Sequence, residues 1–99
     1  MARVLWSPQA LADVRDIVDY IRKDNVEAAA RVGNRIKVST RRLADFPLSG
    51  RVVPELPDYG FREVIVGAYR IIYEVVDDQV QILTVVHGSR DLPSIFTTG

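Results

Sequence analysis

The sequence predicts an α+β domain with the order β-α-α-β-β-β, in which an antiparallel sheet carries an αα-hairpin on one face. Three observations predict it. Apolar residues recur at helical spacing in two stretches between residues 8 and 46. From residue 61 the pattern changes to strand-like alternation, and the pairs Gly67-Ala68 and Asp77-Asp78 break that region into three strands. Ninety-nine residues, 47% of them hydrophobic, build one core and one domain, so residues 1–99 form a single unit whose last residues, 93–99, fray as termini do by default.

Ala2 to Trp6 is a short apolar run, and Ser7-Pro8 behind it marks a helix start: a serine N-cap with proline at the first helical position. Leu11, Val14, Val18 and Ile21 then follow at spacings of three and four, with aspartates at other positions, which is an amphipathic helix. Asp24 or Asn25 caps a second helix whose stripe runs Ala29, Val32, Ile36, Leu43 and Phe46 and ends before Pro47. Gly33 lies inside it at a cost of about 1 kcal/mol relative to alanine, so close approach of the first helix is expected there. Residues 47–60 are rich in turn formers and read as an irregular, candidate functional loop. Three strands follow: Phe61 to Val66, Tyr69 to Val76 and Gln79 to His87, joined by a type II′ turn at Gly67-Ala68 and a second tight turn at Asp77-Asp78. Helices on one face leave the other to solvent or a partner.

Composition removes several kinds of chemistry. With no cysteine and one histidine, His87, neither a thiolate nucleophile nor a His- or Cys-based metal site is available, and no metal or cofactor is expected. No signal-like or membrane-length apolar run is present, and a cytoplasmic protein is the expectation. The formal net charge is zero, yet Arg31, Arg35, Lys37, Arg41, Arg42 and Arg51 meet only Asp45 within their stretch, while acids dominate from Glu55 onward. That basic stretch suits an acidic partner, or is a solvated helix face.

Arg70 stands inside the apolar run YRIIYEV. A guanidinium stays charged and cannot be buried unpaired, so it either pairs with a carboxylate of a neighbouring strand, such as Glu63, or points into the open face to read a phosphate or carboxylate. If Glu55, His87 and Arg90 converge on it there, the set suits RNA cleavage: a base for the 2′-hydroxyl, cations for the phosphate, an acid for the leaving oxygen.

The ordered set W-S-x-x-A-x-x-D (Trp6 to Asp13), L-A-D-F-P-x-x-G-R (Leu43 to Arg51), V-P-E-L (Val53 to Leu56), R-E-x-I-V-G-x-Y-R-I-I-Y-E-V (Arg62 to Val75) and I-L-T-V-V-H-G-S-R (Ile82 to Arg90) resembles the RelE/ParE superfamily of bacterial type II toxin–antitoxin toxins, from Leu5 to about Leu92. The resemblance implies that the first strand joins the sheet beside the last. It also implies a cognate antitoxin encoded alongside, with Arg31, Arg35, Arg42 and Arg70 as its contacts and a toxin–antitoxin heterotetramer as one assembly. Two activities divide the superfamily: ParE-like members inhibit DNA gyrase by protein contact, and RelE- or YoeB-like members cleave mRNA on the ribosome. For cleavage, Glu55 would be the base, Arg70 the phosphate contact and His87 the acid, with Arg51, Arg62 and Arg90 as further target or phosphate contacts. Gly88-Ser89-Arg90-Asp91 lacks the tyrosine or basic cluster of the nucleases, and the chain is neutral where rRNA binding wants a basic one. The ParE-like reading is therefore favoured, with mRNA cleavage second and a non-toxic, antitoxin-binding remnant third.

Overall fold

The computed structural model describes residues 1–90 and Leu92. Its elements are β1 (Arg3–Trp6), α1 (Pro8–Arg22), α2 (Val26–Arg42), β2 (Arg51–Val52), a 3-10 turn at Pro57–Tyr59, β3 (Arg62–Val66), β4 (Tyr69–Val76) and β5 (Gln79–His87). The expectation of a frayed tail at 93–99 lies outside the described residues. No described helix is long and apolar enough to cross a membrane.

Ser7 starts α1 as its spacing predicts: its hydroxyl accepts from the Ala10 N–H at 2.9 Å, with Pro8 next in line. The same hydroxyl donates to the Leu83 carbonyl at 2.7 Å, so one side chain both caps the helix and fastens it to β5. Asp13 continues the clamp, accepting from the Thr84 hydroxyl and from the Val85 N–H at 3.0 Å. β1 runs beside β5 only as far as Ile82, and Asp13 supplies beyond it the acceptor that a longer strand would have provided.

Asn25, not Asp24, caps α2, accepting from the Ala28 N–H at 2.9 Å. Glu27 in its first turn and Arg41 and Arg42 in its last complement the helix dipole. The helix stops at Arg42, short of the Phe46 end that the apolar stripe suggests, and Phe46 is exposed. Pro47 disfavours helical backbone at Phe46, and the Ala44 carbonyl is already taken by the Ala2 N–H at 2.8 Å.

Among the described residues one sheet runs in the order β1-β5-β4-β3-β2. The first strand does lie beside the last, and that pair is parallel while the other pairs are antiparallel. β2 stands where the turn formers predict irregular chain: Arg51 and Val52 pair with Glu63 and Arg62. Gly67 takes the left-handed φ of +58° that its turn requires, and Asp77 does the same at +56°, a conformation aspartate tolerates better than most residues. β4 and β5 pair from Val76 opposite Gln79 to Tyr73 opposite Ile82; Ile72 then faces Thr84, so Leu83 is an extra residue and forms a β-bulge.

The sheet has apolar clusters on both faces. Ala10, Ile36 and Leu43 of the helical side pack against Ile71, Tyr73 and Ile82. On the other face Val53, Leu56, Ile72, Val86 and Leu92 form a second cluster, where the sequence reading expected a face open to solvent or a partner. The segment between β2 and β3 carries Val53 and Leu56 onto that face because their side chains would otherwise stay wet.

The nearest α1 atom to Gly33, a methyl of Val18, lies 3.5 Å from where a β-carbon would stand, an ordinary contact rather than a clash. Gly33→Ala is therefore expected to stabilise the protein by about 1 kcal/mol through helix propensity, read as a higher midpoint in urea denaturation. Destabilisation would show that α1 approaches more closely than this.

Candidate functional site

Arg70 lies in the middle strand and is only 6% exposed. Its Nε donates to Glu63 Oε1 at 2.7 Å, and its Nη2 bonds the same carboxylate. From the other side Glu55 closes on the guanidinium as a fork, Nη1 to Oε2 at 2.6 Å and Nη2 to Oε1 at 2.8 Å. The second oxygen of Glu63 accepts from Arg51 Nε at 2.5 Å. Arg51, Glu63, Arg70 and Glu55 thus form a chain of alternating charge with no net charge. Of the two readings open to Arg70, the structure realises the pair with Glu63 and adds Glu55 to it.

Each member is brought in by a different element. Ile65 lies opposite Arg70 and Ile72 opposite Glu63, so the two charged residues are diagonal neighbours across β3 and β4, within reach of long side chains. Glu55 comes from the segment that covers the second face, and Arg51 from β2, directly opposite Glu63. β2 is itself positioned by Tyr73, whose buried hydroxyl donates to the Pro47 carbonyl at 2.8 Å and accepts from the Gly50 N–H at 2.9 Å. Burial pushes that phenol's pKa up, which keeps its donor proton in place. Gly50 has no alternative: a β-carbon there would stand 2.6 Å from the Glu63 carbonyl oxygen and from the Tyr73 hydroxyl.

The bidentate bond from Arg70 holds the Glu55 carboxyl well below its ordinary range, at about 2. The same fork, more than Glu63, raises the Arg70 pKa further. Base and cation are therefore committed to each other.

His87 does not join them. It is exposed at the end of β5, its Nδ1 accepts from the Ser89 N–H at 3.2 Å and lies 2.8 Å from the Ser89 hydroxyl. Its ring meets Tyr69 edge-on with centroids 5.8 Å apart. Tyr69 belongs to the helix-side cluster, and Arg70, one residue on, points to the opposite face. Arg62 is also occupied, donating to the Gly50 carbonyl at 2.8 Å. Arg90 is exposed just beyond β5. Arg31, Arg35 and Arg42 are exposed on α2, and with Val38 their spacing puts them on one stripe of that helix, whose Arg42 end lines a groove together with Arg51 and Glu63 of the ion chain. Among the described residues no cluster of histidine, cysteine, aspartate or glutamate is arranged to hold a metal ion.

The Glu55–Arg70 bond makes folding stability depend on pH in the acid range. A carboxyl whose pKa is lowered on folding contributes stability above its ordinary range, near 4.5, and loses it as pH falls through about 2. Glu55→Gln should flatten the loss of stability across that window in denaturation measured at a series of pH values; an unchanged slope would place the acid sensitivity elsewhere.

Comparison with known proteins shows the family and the fold. The chain is 38% identical over 91 residues to Toxin RelE2 of Caulobacter vibrioides, covering 91% of this chain and 99% of that one. Its fold matches the chromosomal ParDE toxin–antitoxin system of P. aeruginosa with a TM-score of 0.75 at 21% identity, covering 88% of this chain and 96% of the other. The toxin–antitoxin complex RelBE2 of Mycobacterium tuberculosis matches with a TM-score of 0.59 at 24% identity, covering 87% and 96%. A family model described as the ParE toxin of the type II toxin–antitoxin system parDE matches residues 4–92, and the chain belongs to that family of toxins.

Proposed function

We propose that this toxin arrests growth by holding DNA gyrase through protein contact, without cutting RNA, and that a cognate antitoxin encoded beside it keeps it silent. The observation that supports this reading most is the placement of the three residues that cleavage would need. Glu55 and Arg70 neutralise each other, and His87 stands on the opposite face of the sheet. General acid–base cleavage needs its acid and base on one substrate, within hydrogen-bond reach. The zero net charge adds to this, since docking on rRNA draws its affinity from phosphate contacts. Cleavage is the second reading, supported by the contact between a carboxylate and an arginine at the positions where the nuclease branch carries them.

For the antitoxin, two features support one surface. Arg31, Arg35 and Arg42 are exposed along α2 without a carboxylate partner among the described residues. Beside them β3 is paired by β2 only at Arg62 and Glu63, so its edge from Val64 to Val66 is open, above a groove of about 300 Å³ lined by Ser39, Arg42 and Ile65. An acidic, extended segment fits both, adding a strand to β3 while its carboxylates meet the arginines. A second copy of this chain fits worse, because two basic helices would face each other.

Pulse labelling in the minutes after induction without antitoxin tests the target: thymidine incorporation is expected to fall before methionine incorporation, and the purified chain to inhibit supercoiling by gyrase. Methionine falling first would sink the gyrase reading and make Glu55, Arg70 and His87 the residues to mutate. No arrest at all would favour an antitoxin-binding remnant. Arg35→Glu combined with Arg42→Glu should weaken binding of the neighbouring gene's product at least about tenfold, and raised salt should weaken the unaltered pair; unchanged affinity would move the antitoxin to another surface.

A further inference from the structure

The segment between β2 and β3 is held to the sheet by side chains. Its own backbone bonds close within it: the Val53 N–H donates to Phe61, Leu56 to Val53 and Tyr59 to Leu56. Val53, fully buried in the second-face cluster, anchors the start of the segment, and two adjacent residues fasten its middle. Glu55 forks onto Arg70, and Leu56, 6% exposed, sits in the apolar cluster of Ile72, Val86 and Leu92. Pro54 and Pro57 flank the pair and restrict the backbone on either side. An acidic residue followed by a bulky aliphatic one thus occupies a charged seat and an apolar seat side by side, as a bound peptide would.

We propose that Arg70 and the neighbouring apolar seat form a peptide-recognition site whose resident occupant is the chain's own Glu55-Leu56, and that a partner protein segment with an acidic residue next to a bulky aliphatic one binds there by displacing it. Charge bookkeeping supports the exchange. With Glu55 in place the four-residue chain of ions is neutral; with Glu55 withdrawn, Arg51, Glu63 and Arg70 are left with one uncompensated positive charge. The guanidinium is enclosed and loses its acceptors on the Glu55 side, which is unfavourable unless another carboxylate arrives. Opening of the segment is therefore coupled to arrival of an acid. Glu63 keeps Arg70 aimed throughout, because it bonds Nε and Nη2 independently of Glu55. A free phosphate satisfies only half of the site, since it brings nothing for the seat that Leu56 vacates. The site lies on the sheet face opposite the helices and does not depend on whether gyrase is the target.

The test uses the full chain carrying Glu55→Ala and Leu56→Ala, with a synthetic hexapeptide Val-Pro-Glu-Leu-Pro-Asp as probe. Calorimetry is expected to show the peptide binding the double variant at least about tenfold more tightly than it binds the unaltered chain, where the resident pair competes. A peptide with glutamine in place of glutamate should bind at least about tenfold more weakly, and Arg70→Gln added to the double variant should remove the difference between the two peptides. No binding, or equal binding of the two peptides to the double variant, would overturn the proposal. Should the double variant fail to fold, Glu55→Ala alone provides the readout. Sodium acetate should raise its Tm above the value in equimolar sodium chloride while leaving the unaltered chain unmoved; an equal response to both salts would equally overturn the proposal.

Discussion

The enclosed guanidinium of Arg70 is the constraint around which the sheet is arranged. A charge in the middle strand requires partners from both directions, and the structure supplies them from β3 and from the segment before it. Such an ion pair adds little net stability over well-packed apolar groups, but stranding one member costs about 3–5 kcal/mol. Its effect is on specificity. A slip of one residue in β4 would turn Arg70 into the helix-side core, away from Glu63 and Glu55, so the charge pins the register that apolar alternation alone specifies less strictly. Once Glu55 is fixed, Leu56 and Val53 are delivered to the second face, and a sheet that the helices cover on one side acquires a core on both.

The helical half is fastened to that sheet by a short run of residues between β1 and α1. Ser7 caps α1 and bonds the Leu83 carbonyl, Ala10 is fully buried, and Asp13 takes the Val85 N–H where β1 has ended. The spacing W-S-x-x-A-x-x-D is thus one junction in which a serine, a small residue and an aspartate each meet the helix or the β5 edge. Its members touch residues more than seventy positions away. Sequence reading could recognise the spacing as a family mark and the serine as a cap, but not the clamp.

Much of the fold was legible because its signals are local. Ser7-Pro8, Asn25, Gly67 and the alternation of β4 each act within a few residues, and the corresponding elements formed where those signals stand. What escaped is non-local. β2 is two residues long and depends on distant contacts, among them Tyr73, more than twenty residues away, which holds Gly50. The fork between Glu55 and Arg70 spans fifteen positions and leaves no periodicity to read. His87 is the instructive case. From the Asp77-Asp78 turn, an unbroken ladder would put Val85 opposite Arg70 and His87 on Arg70's face; the bulge at Leu83 puts Val86 there instead, and His87 opposite Tyr69.

That single extra residue is also an evolutionary lever. Because side chains of a strand alternate, a one-residue insertion or deletion in β5 exchanges the entire set that its distal half presents to Arg70, while the turn, the proximal half and the parallel pairing with β1 stay as they are. In a lineage of such toxins, the histidine at the end of this strand can be moved to or from the arginine's side by an indel rather than by a series of substitutions. Position in an alignment is then a poor guide to shared chemistry, and the parity of the strand is the character to compare.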